Sequence, residues 1–262
     1  MPGLRAIASL GAGVDHAMRP GLIPPGVEIL RIVDPLMAQR MATWVMWAVV
    51  NFQRKMDLYA RAQAERRYAL GSWEDGYSAA AHLTWQVRVG IMGYGVMGQA
   101  AAGLLRAAGY DVAAWARSPH DSADIKVFSG RESLRSFVER TDVLVCLLPL
   151  TAETEGIISA QLLTWLPRGA GVVNAARGKH LDEAALLAAI DSGHVAGAVL
   201  DVFATEPLPA DSPLWAHPKI RITPHVSSIT DVPNAVAQIT ENYQRLVAGE
   251  PLLRVANKSV GY

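Results

Sequence analysis

One cysteine, four phenylalanines and no surplus of either charge are what this chain of 262 residues has least of. The single cysteine, Cys146, excludes an internal disulfide and suits a reducing, cytoplasmic compartment. Its place in the apolar run Val143 to Leu148 makes it a buried strand thiol rather than a nucleophile. Lys plus Arg and Asp plus Glu both number 24, and no basic run is present, so neither nucleic acid nor an anionic membrane is expected as a partner. No apolar run is long enough to span a bilayer. The longest, Thr43 to Phe52, reads as part of a buried helix. Ile7 to Val14 lacks the small-residue cleavage pattern of a secretory leader, and no residues are assigned to a metal.

A 51% hydrophobic content is enough to bury a substantial core in one or two domains. The chain is organised around Val87 to Gly98, where a short apolar strand runs into Gly93, Gly95 and Gly98 at GxGxxG spacing. Gly93 turns the chain, Gly95 leaves room for a pyrophosphate against bare backbone, and Gly98 lets the next helix pack close to the strand. Val96 and Met97, between them, open that helix, whose N-terminal N–H groups favour anions. Strand Val87 to Ile91, helix Ala100 to Ala108 and strand Tyr110 to Trp115 complete a βαβ unit, so this is a nucleotide-binding turn.

Upstream, Arg5 to Leu10 and Val27 to Val33 read as strands. Gly11-Ala12-Gly13 between them is either a small carboxylate site or a plain connection. Asp34-Pro35 starts a helix, and Met37, Met41, Trp44, Ala48, Phe52, Met56 and Tyr59 extend one apolar stripe along it. An unbroken helix to Leu70, stopped by Gly71, is expected, with Trp47 and Val50 widening its face, which is either core alone or also a homodimer contact through residues 35–70. Ser72 to Gln86 reads as a linker.

Beyond the glycine turn the chain alternates. Strands are expected at Asp142 to Leu148, Gly171 to Ala175, Ala196 to Val202 and Ile220 to Thr223, with helices at Ser159 to Leu166 and Leu181 to Ile190. This is a doubly wound α/β pattern. A last helix, Asp231 to Ala248, stops at Gly249. The domains expected are 1–82 on the substrate side, 83–230 around the dinucleotide, and 231–262 returning to the first.

Ligands of open parallel sheets bind beyond the carboxyl ends of the strands. After the second strand of the βαβ unit the chain reads Trp115-Ala116-Arg117-Ser118, with no acid for a ribose 2′-hydroxyl. Arg117 and Ser118 suit a 2′-phosphate, which favours NADP and leaves NAD possible; the alternative for Arg117 is an ordinary exposed loop arginine. Leu148-Pro149, Ala175 with Arg177, Asp201 and His225 follow later strands, where a nicotinamide and its substrate would sit.

Three further runs complete the pattern: Asn174-Ala175-Ala176-Arg177-Gly178; Ala198 to Phe203 continuing to Glu206-Pro207-Leu208; and Ser212-Pro213-Leu214-Trp215 with Thr223-Pro224-His225. With Ser9 to His16, they resemble the D-isomer-specific 2-hydroxyacid dehydrogenases over nearly the whole chain. Within that family the Trp-Ala-Arg-Ser and Gly-Ala-Gly-Val-Asp-His runs are most similar to the glyoxylate and hydroxypyruvate reductases of the bacterial A type, which favour NADPH.

The resemblance implies NADPH-dependent reduction of a small 2-keto acid on a Rossmann-type sheet joined to a flavodoxin-like substrate domain. It makes His225 the general acid, Glu206 its partner and Arg177 the substrate clamp. Backbone N–H groups of Leu10, Ala12 and Gly13 would hold the substrate carboxylate, and Asp201 would face the nicotinamide amide. Family members usually carry several βα units before the segment beginning at Pro2. At about 30 residues per unit, roughly fifty fewer residues leave an N-terminally shortened substrate domain with an exposed edge. Two other readings stay open: a corepressor-like module that binds dinucleotide and protein, and a shortened reductase that binds cofactor without turnover.

Overall fold

The computed structural model describes residues 3–11, 13–18, 21–68 and 82–258. Ala12, the expected helix end at Leu70 and Gly71, and most of the expected linker lie outside the described residues.

β1 (Ala6–Ala8) and β2 (Glu28–Leu30) form a small parallel pair. The end of the chain returns to it, with the Ala256 N–H donating to Ile29 O and an antiparallel bridge joining Leu30 to Val255. α1 (Pro35–Gln53) follows. Asp34 caps it by accepting the Leu36 N–H at 2.9 Å, and Pro35 opens the first turn, where its missing N–H costs nothing.

The expected continuous helix to Leu70 is corrected here. α1 stops at Arg54, Lys55 turns left-handed at φ 49°, and a separate α2 runs over Met56–Ala64. No glycine or proline marks that break. Phe52 stacks its ring over the bare face of Gly171, while Met56 and Tyr59, 45% and 43% exposed, have left the core. Residues 35–53 give a helix of about 28 Å, half the length that an unbroken pattern implied.

A βαβ unit comes next: β3 (Arg88–Met92), α3 (Val96–Ala107) and β4 (Asp111–Ala116). Then follow β5 (Lys126–Ser129), α4 (Leu134–Glu139), β6 (Val143–Cys146), α5 (Ala160–Trp165) and β7 (Ala170–Asn174). The chain closes with α6 (Glu183–Asp191), β8 (Val195–Leu200), β9 (Ile220–Ile222) and α7 (Val232–Ala248). The seven strands from β3 onward form one parallel sheet in the order β5-β4-β3-β6-β7-β8-β9. β5 and α4 lack a clear sequence signal: β5 is a short edge strand, and its Lys126 is a residue type that discourages edge pairing.

Helices cover both faces of this sheet, so its central strands can be apolar throughout. On one face Val45, Ala48 and Val49 of α1 and Ala101 and Leu105 of α3 pack with Val89, Ile91, Val145 and Val173. On the other, Phe137, Leu162, Leu163, Leu186 and Ile190 pack with Leu144, Val172 and Leu200. Among the described residues no helix is long and apolar enough to cross a membrane.

One ion pair pins the amino ends of β3 and β6. Arg88 grips both oxygens of Asp142, at 2.9 and 2.6 Å, and its backbone N–H donates to the same carboxylate at 2.9 Å. Burial pushes the Asp142 carboxyl up, but these Arg88 donors and charge outweigh it, so its pKa lies below the usual range. With the folded pKa depressed, the stabilisation is present above the unfolded carboxylate pKa and fades as pH falls through the folded value. Asp142→Asn should therefore cost about 1 kcal/mol at neutral pH, a value kept low because the side chains are 41% and 31% exposed. Urea unfolding at pH 7 and at about pH 3 should show the difference from the parent shrinking on acidification. An unchanged gap would mean that charge is not its source.

Candidate functional site

The strand order reverses between β3 and β6, and a cleft of about 1220 Å³ opens beyond the carboxyl ends there. One wall is the glycine turn. Gly93 sits at φ 103°, where a side chain would be strained, and a Cβ on it would come within 2.7 Å of Leu147 O. A Cβ on Gly98 would come within 1.9 Å of Gly93 O, so only glycine lets α3 pack this closely on the strand. Over Gly95 no atom of the described residues lies within 4 Å, and Gly95, Val96, Met97 and Gly98 all line the cleft. Among the described residues no side chain caps the N-terminus of α3. Bare backbone, an uncapped helix end and open space together fit a pyrophosphate.

The end of β4 closes one side of the same cleft. Arg117 and Ser118 line it, joined by His120 and Arg131, two residues that the sequence patterns did not single out. No acid stands between Trp115 and His120. Leu148, Pro149 and Ala175 line the cleft after β6 and β7, so these expected cofactor positions also lie together.

Arg177 is set by the turn after β7. The fully buried Asn174 donates from Nδ2 to Arg177 O at 2.9 Å and accepts the Ala176 N–H at 3.2 Å. Gly178 lets this turn press on the chain after β8, since a Cβ there would come within 1.8 Å of the Phe203 carbonyl carbon. The guanidinium donates through Nε to Asp15 Oδ1 at 2.9 Å and through Nη1 to Ala176 O at 2.7 Å. Nη2 lies over Gly13, where a Cβ would meet it at 1.7 Å. Asp15 stood in the Gly-Ala-Gly-Val-Asp-His run, yet no local pattern marks it as the partner of an arginine 162 positions away.

His225 is held from behind. Its Nδ1 lies 2.8 Å from Glu206 Oε2, and Glu206 Oε1 accepts the Phe203 N–H at 2.9 Å. A carboxylate only accepts, so Nδ1 carries the hydrogen at this contact. Arg177 and His225 both line the cleft; Glu206 stands behind the ring and does not.

Two expected residues lie outside the cleft lining. Asp201 is fully buried and absent from the cleft lining. One oxygen accepts Thr223 Oγ1 and the Val226 N–H, and the other accepts the Ser227 N–H at 2.9 Å. With Asp201 O accepting the His225 N–H at 2.8 Å, this residue clamps the loop on which His225 adopts φ 55°. Leu10 is 65% exposed and outside the lining, its carbonyl accepting Thr230 Oγ1 at 2.7 Å. Gly11 and Gly13 do line the cleft, although the Gly11 N–H is already given to Ser9 Oγ at 3.2 Å.

Residues 46–227 match the family described as D-isomer specific 2-hydroxyacid dehydrogenase, NAD binding domain. A glyoxylate/hydroxypyruvate reductase A of Salmonella heidelberg is 39% identical, over 99% of this chain and 82% of that protein. The crystal structure of a D-isomer specific 2-hydroxyacid dehydrogenase of Xanthobacter autotrophicus, in complex with NADPH and MES, superposes with a TM-score of 0.91. It is 42% identical, covering 100% of this chain and 80% of that one. An NADPH-dependent glyoxylate/hydroxypyruvate reductase of Sinorhizobium meliloti, in complex with NADP and sulfate, also gives a TM-score of 0.91. Here the identity is 36%, over 100% of this chain and 81% of that one.

Proposed function

The chain belongs to the D-isomer specific 2-hydroxyacid dehydrogenase family, and from that premise we propose that it reduces glyoxylate or hydroxypyruvate to the 2-hydroxy acid with NADPH. One observation carries the reading. A carboxylate-held arginine and a carboxylate-held histidine open on the same cleft as the glycine turn.

The reduced nicotinamide, when bound, supplies a hydride for the carbonyl carbon. Arg177 offers its guanidinium fork to the substrate carboxylate and carbonyl oxygen, and Asp15 keeps that fork in one rotamer. His225 gives the carbonyl oxygen its proton from Nε2, because Nδ1 is committed to Glu206. Gly95 to Gly98 take the pyrophosphate on backbone N–H groups, and Arg117 with Ser118 take the 2′-phosphate. Asp201 serves this chemistry by fixing the His225 loop. A homodimer is part of the proposal, with α1 presenting Trp47, 44% exposed, to the partner.

NADPH oxidation by the purified chain with glyoxylate and with hydroxypyruvate, beside NADH at matched concentration, tests this directly. Turnover favouring NADPH is expected, and Arg117→Ala should reduce that preference about tenfold or more. Cofactor binding without any turnover would instead favour a shortened reductase that binds without turnover or a dinucleotide-binding module.

Gly13 supplies a finer test. Gly13→Ala places a methyl where Arg177 Nη2 now lies, and only a flexible side-chain tip must move, so the fold should survive. The KM for the keto acid should rise about tenfold or more, as a charge-assisted contact is lost. Gly11→Ala is the matched control, with its nearest neighbours at 4.0 Å. Equal effects of the two changes would remove the close approach of Arg177 as the cause.

A further inference from the structure

The segment Arg31 to Asp34 joins β2 to α1 and lines the cleft along its whole length. Its place follows from the strands. β1 and β2 are parallel neighbours, so the chain leaving β2 runs beside the chain leaving β1, at the ordinary strand spacing of about 5 Å. The chain leaving β1 carries Gly13 and Asp15, the two residues that meet the Arg177 guanidinium. At its far end the segment enters α1, where Met37 O accepts Ser228 Oγ at 2.8 Å, on the loop that follows His225. The segment therefore spans the wall between the arginine and the histidine.

This wall is fixed and carries a cation. The Arg31 N–H donates to Arg254 O at 3.1 Å. The buried Gln238 of α7 brackets Val33, giving Nε2 to its carbonyl at 3.0 Å and accepting its N–H at 3.3 Å. Arg31 itself is half-buried. Among the described residues its buried Nε has no hydrogen-bond partner, and no ion pair holds its guanidinium.

We propose that Arg31 is a specificity-determining residue for the third carbon of the substrate, donating to the C3 hydroxyl of hydroxypyruvate and so selecting it over pyruvate. This rests on the reading of Arg177 and His225 as the groups that hold and protonate a 2-keto acid. With the carboxylate on Arg177 and the carbonyl oxygen toward His225, the C3 group is the remaining substituent of the planar carbonyl carbon. Arg31 is the donor that this wall presents to it.

The charge balance favours a hydroxyl over a second anion. Along this end of the cleft Arg31 and Arg177 stand with Asp15 and Asp34, two charges of each sign, and the substrate carboxylate makes the filled site negative. A hydroxyl accepts from Arg31 without adding charge. A methyl in its place accepts nothing and leaves the donor covered and unpaired, which is how a site made for a hydroxyl rejects the analogue lacking it.

Equilibrium binding to the NADPH-saturated chain tests the assignment, because NADPH and a 2-hydroxy acid are both reduced and do not react. D-Glycerate and D-lactate differ only in the C3 hydroxyl. The parent should bind D-glycerate about tenfold more tightly or better. Arg31→Met keeps the apolar stem without a donor, and should bring the two Kd values within about threefold of each other. No preference in the parent, no binding of either acid, or a preference that survives in Arg31→Met overturns the assignment. Arg31→Leu repeats the measurement if the methionine variant does not fold.

Turnover is scored apart from binding. A parent that prefers D-glycerate but reduces no 2-keto acid would sink the proposed function and leave the recognition of the hydroxyl by Arg31 standing. A parent that reduces hydroxypyruvate with NADPH, and whose preference survives in Arg31→Met, would keep the function and lose the role of Arg31.

Discussion

His225→Gln lowers turnover by about 10² to 10⁴-fold while leaving NADPH binding unchanged, as expected for removal of a general acid. The imidazole opens on the cleft beside Arg177: Glu206 fixes Nδ1–H, the ring is 48% exposed, and Nε2 is left for the substrate oxygen. A glutamine amide fills similar space but has no proton to give near neutral pH. The backbone adds a condition. At φ 55° a glutamine is strained, whereas asparagine tolerates the left-handed region better, so His225→Asn separates chemistry from backbone cost. Both variants should lose turnover equally. Equilibrium binding of NADPH and thermal unfolding, measured beside kcat, decide the matter. Retained turnover in either variant would refute the proton-donor role.

Arg177→Lys is expected to lower kcat/KM for the keto acid by about 10²-fold or more, from the 2–5 kcal/mol typical of breaking a hydrogen-bonded charge pair. A lysine keeps the charge but cannot give Nε to Asp15, Nη1 to Ala176 O and a fork to the substrate together. Asp15→Asn should cost less, about tenfold, because it loosens the guanidinium without removing it. The larger loss should fall on KM, since the arginine is the group that holds the carboxylate. Arg177 is 29% exposed in an ion pair at the cleft wall, so the variant should fold. Near-parent kcat/KM in Arg177→Lys would show that charge alone suffices and that the fork geometry is unimportant.

Much of the scaffold could be read from local chemistry. The glycine spacing at Gly93, Gly95 and Gly98 carried its meaning because each glycine's role is fixed by backbone within a few residues. The Asp34-Pro35 start and the Asp231 start with its Gly249 stop likewise lie within one helical turn of what they cap. The apolar runs of β6, β7 and β8 were legible because a strand covered on both faces needs no polar residue. The break at Lys55 was not, since no residue there forbids a helix. It occurs where Phe52 reaches Gly171, a contact made across the fold.

Residue types and their order along the chain determined that this is a parallel α/β protein with a dinucleotide turn, and the family resemblance in its motifs made Arg177, Glu206 and His225 the candidates for chemistry. Only the tertiary structure decided what each of them touches. Asp15 meets Arg177 across 162 positions, and Asp201 turns out to clamp the His225 loop from inside the protein. His180 finds one carbonyl three residues back and another 31 residues away. The division has a physical cause. Backbone conformation and burial pattern are set by near neighbours, whereas partners for charges and ring nitrogens are set by which strand ends the sheet brings side by side.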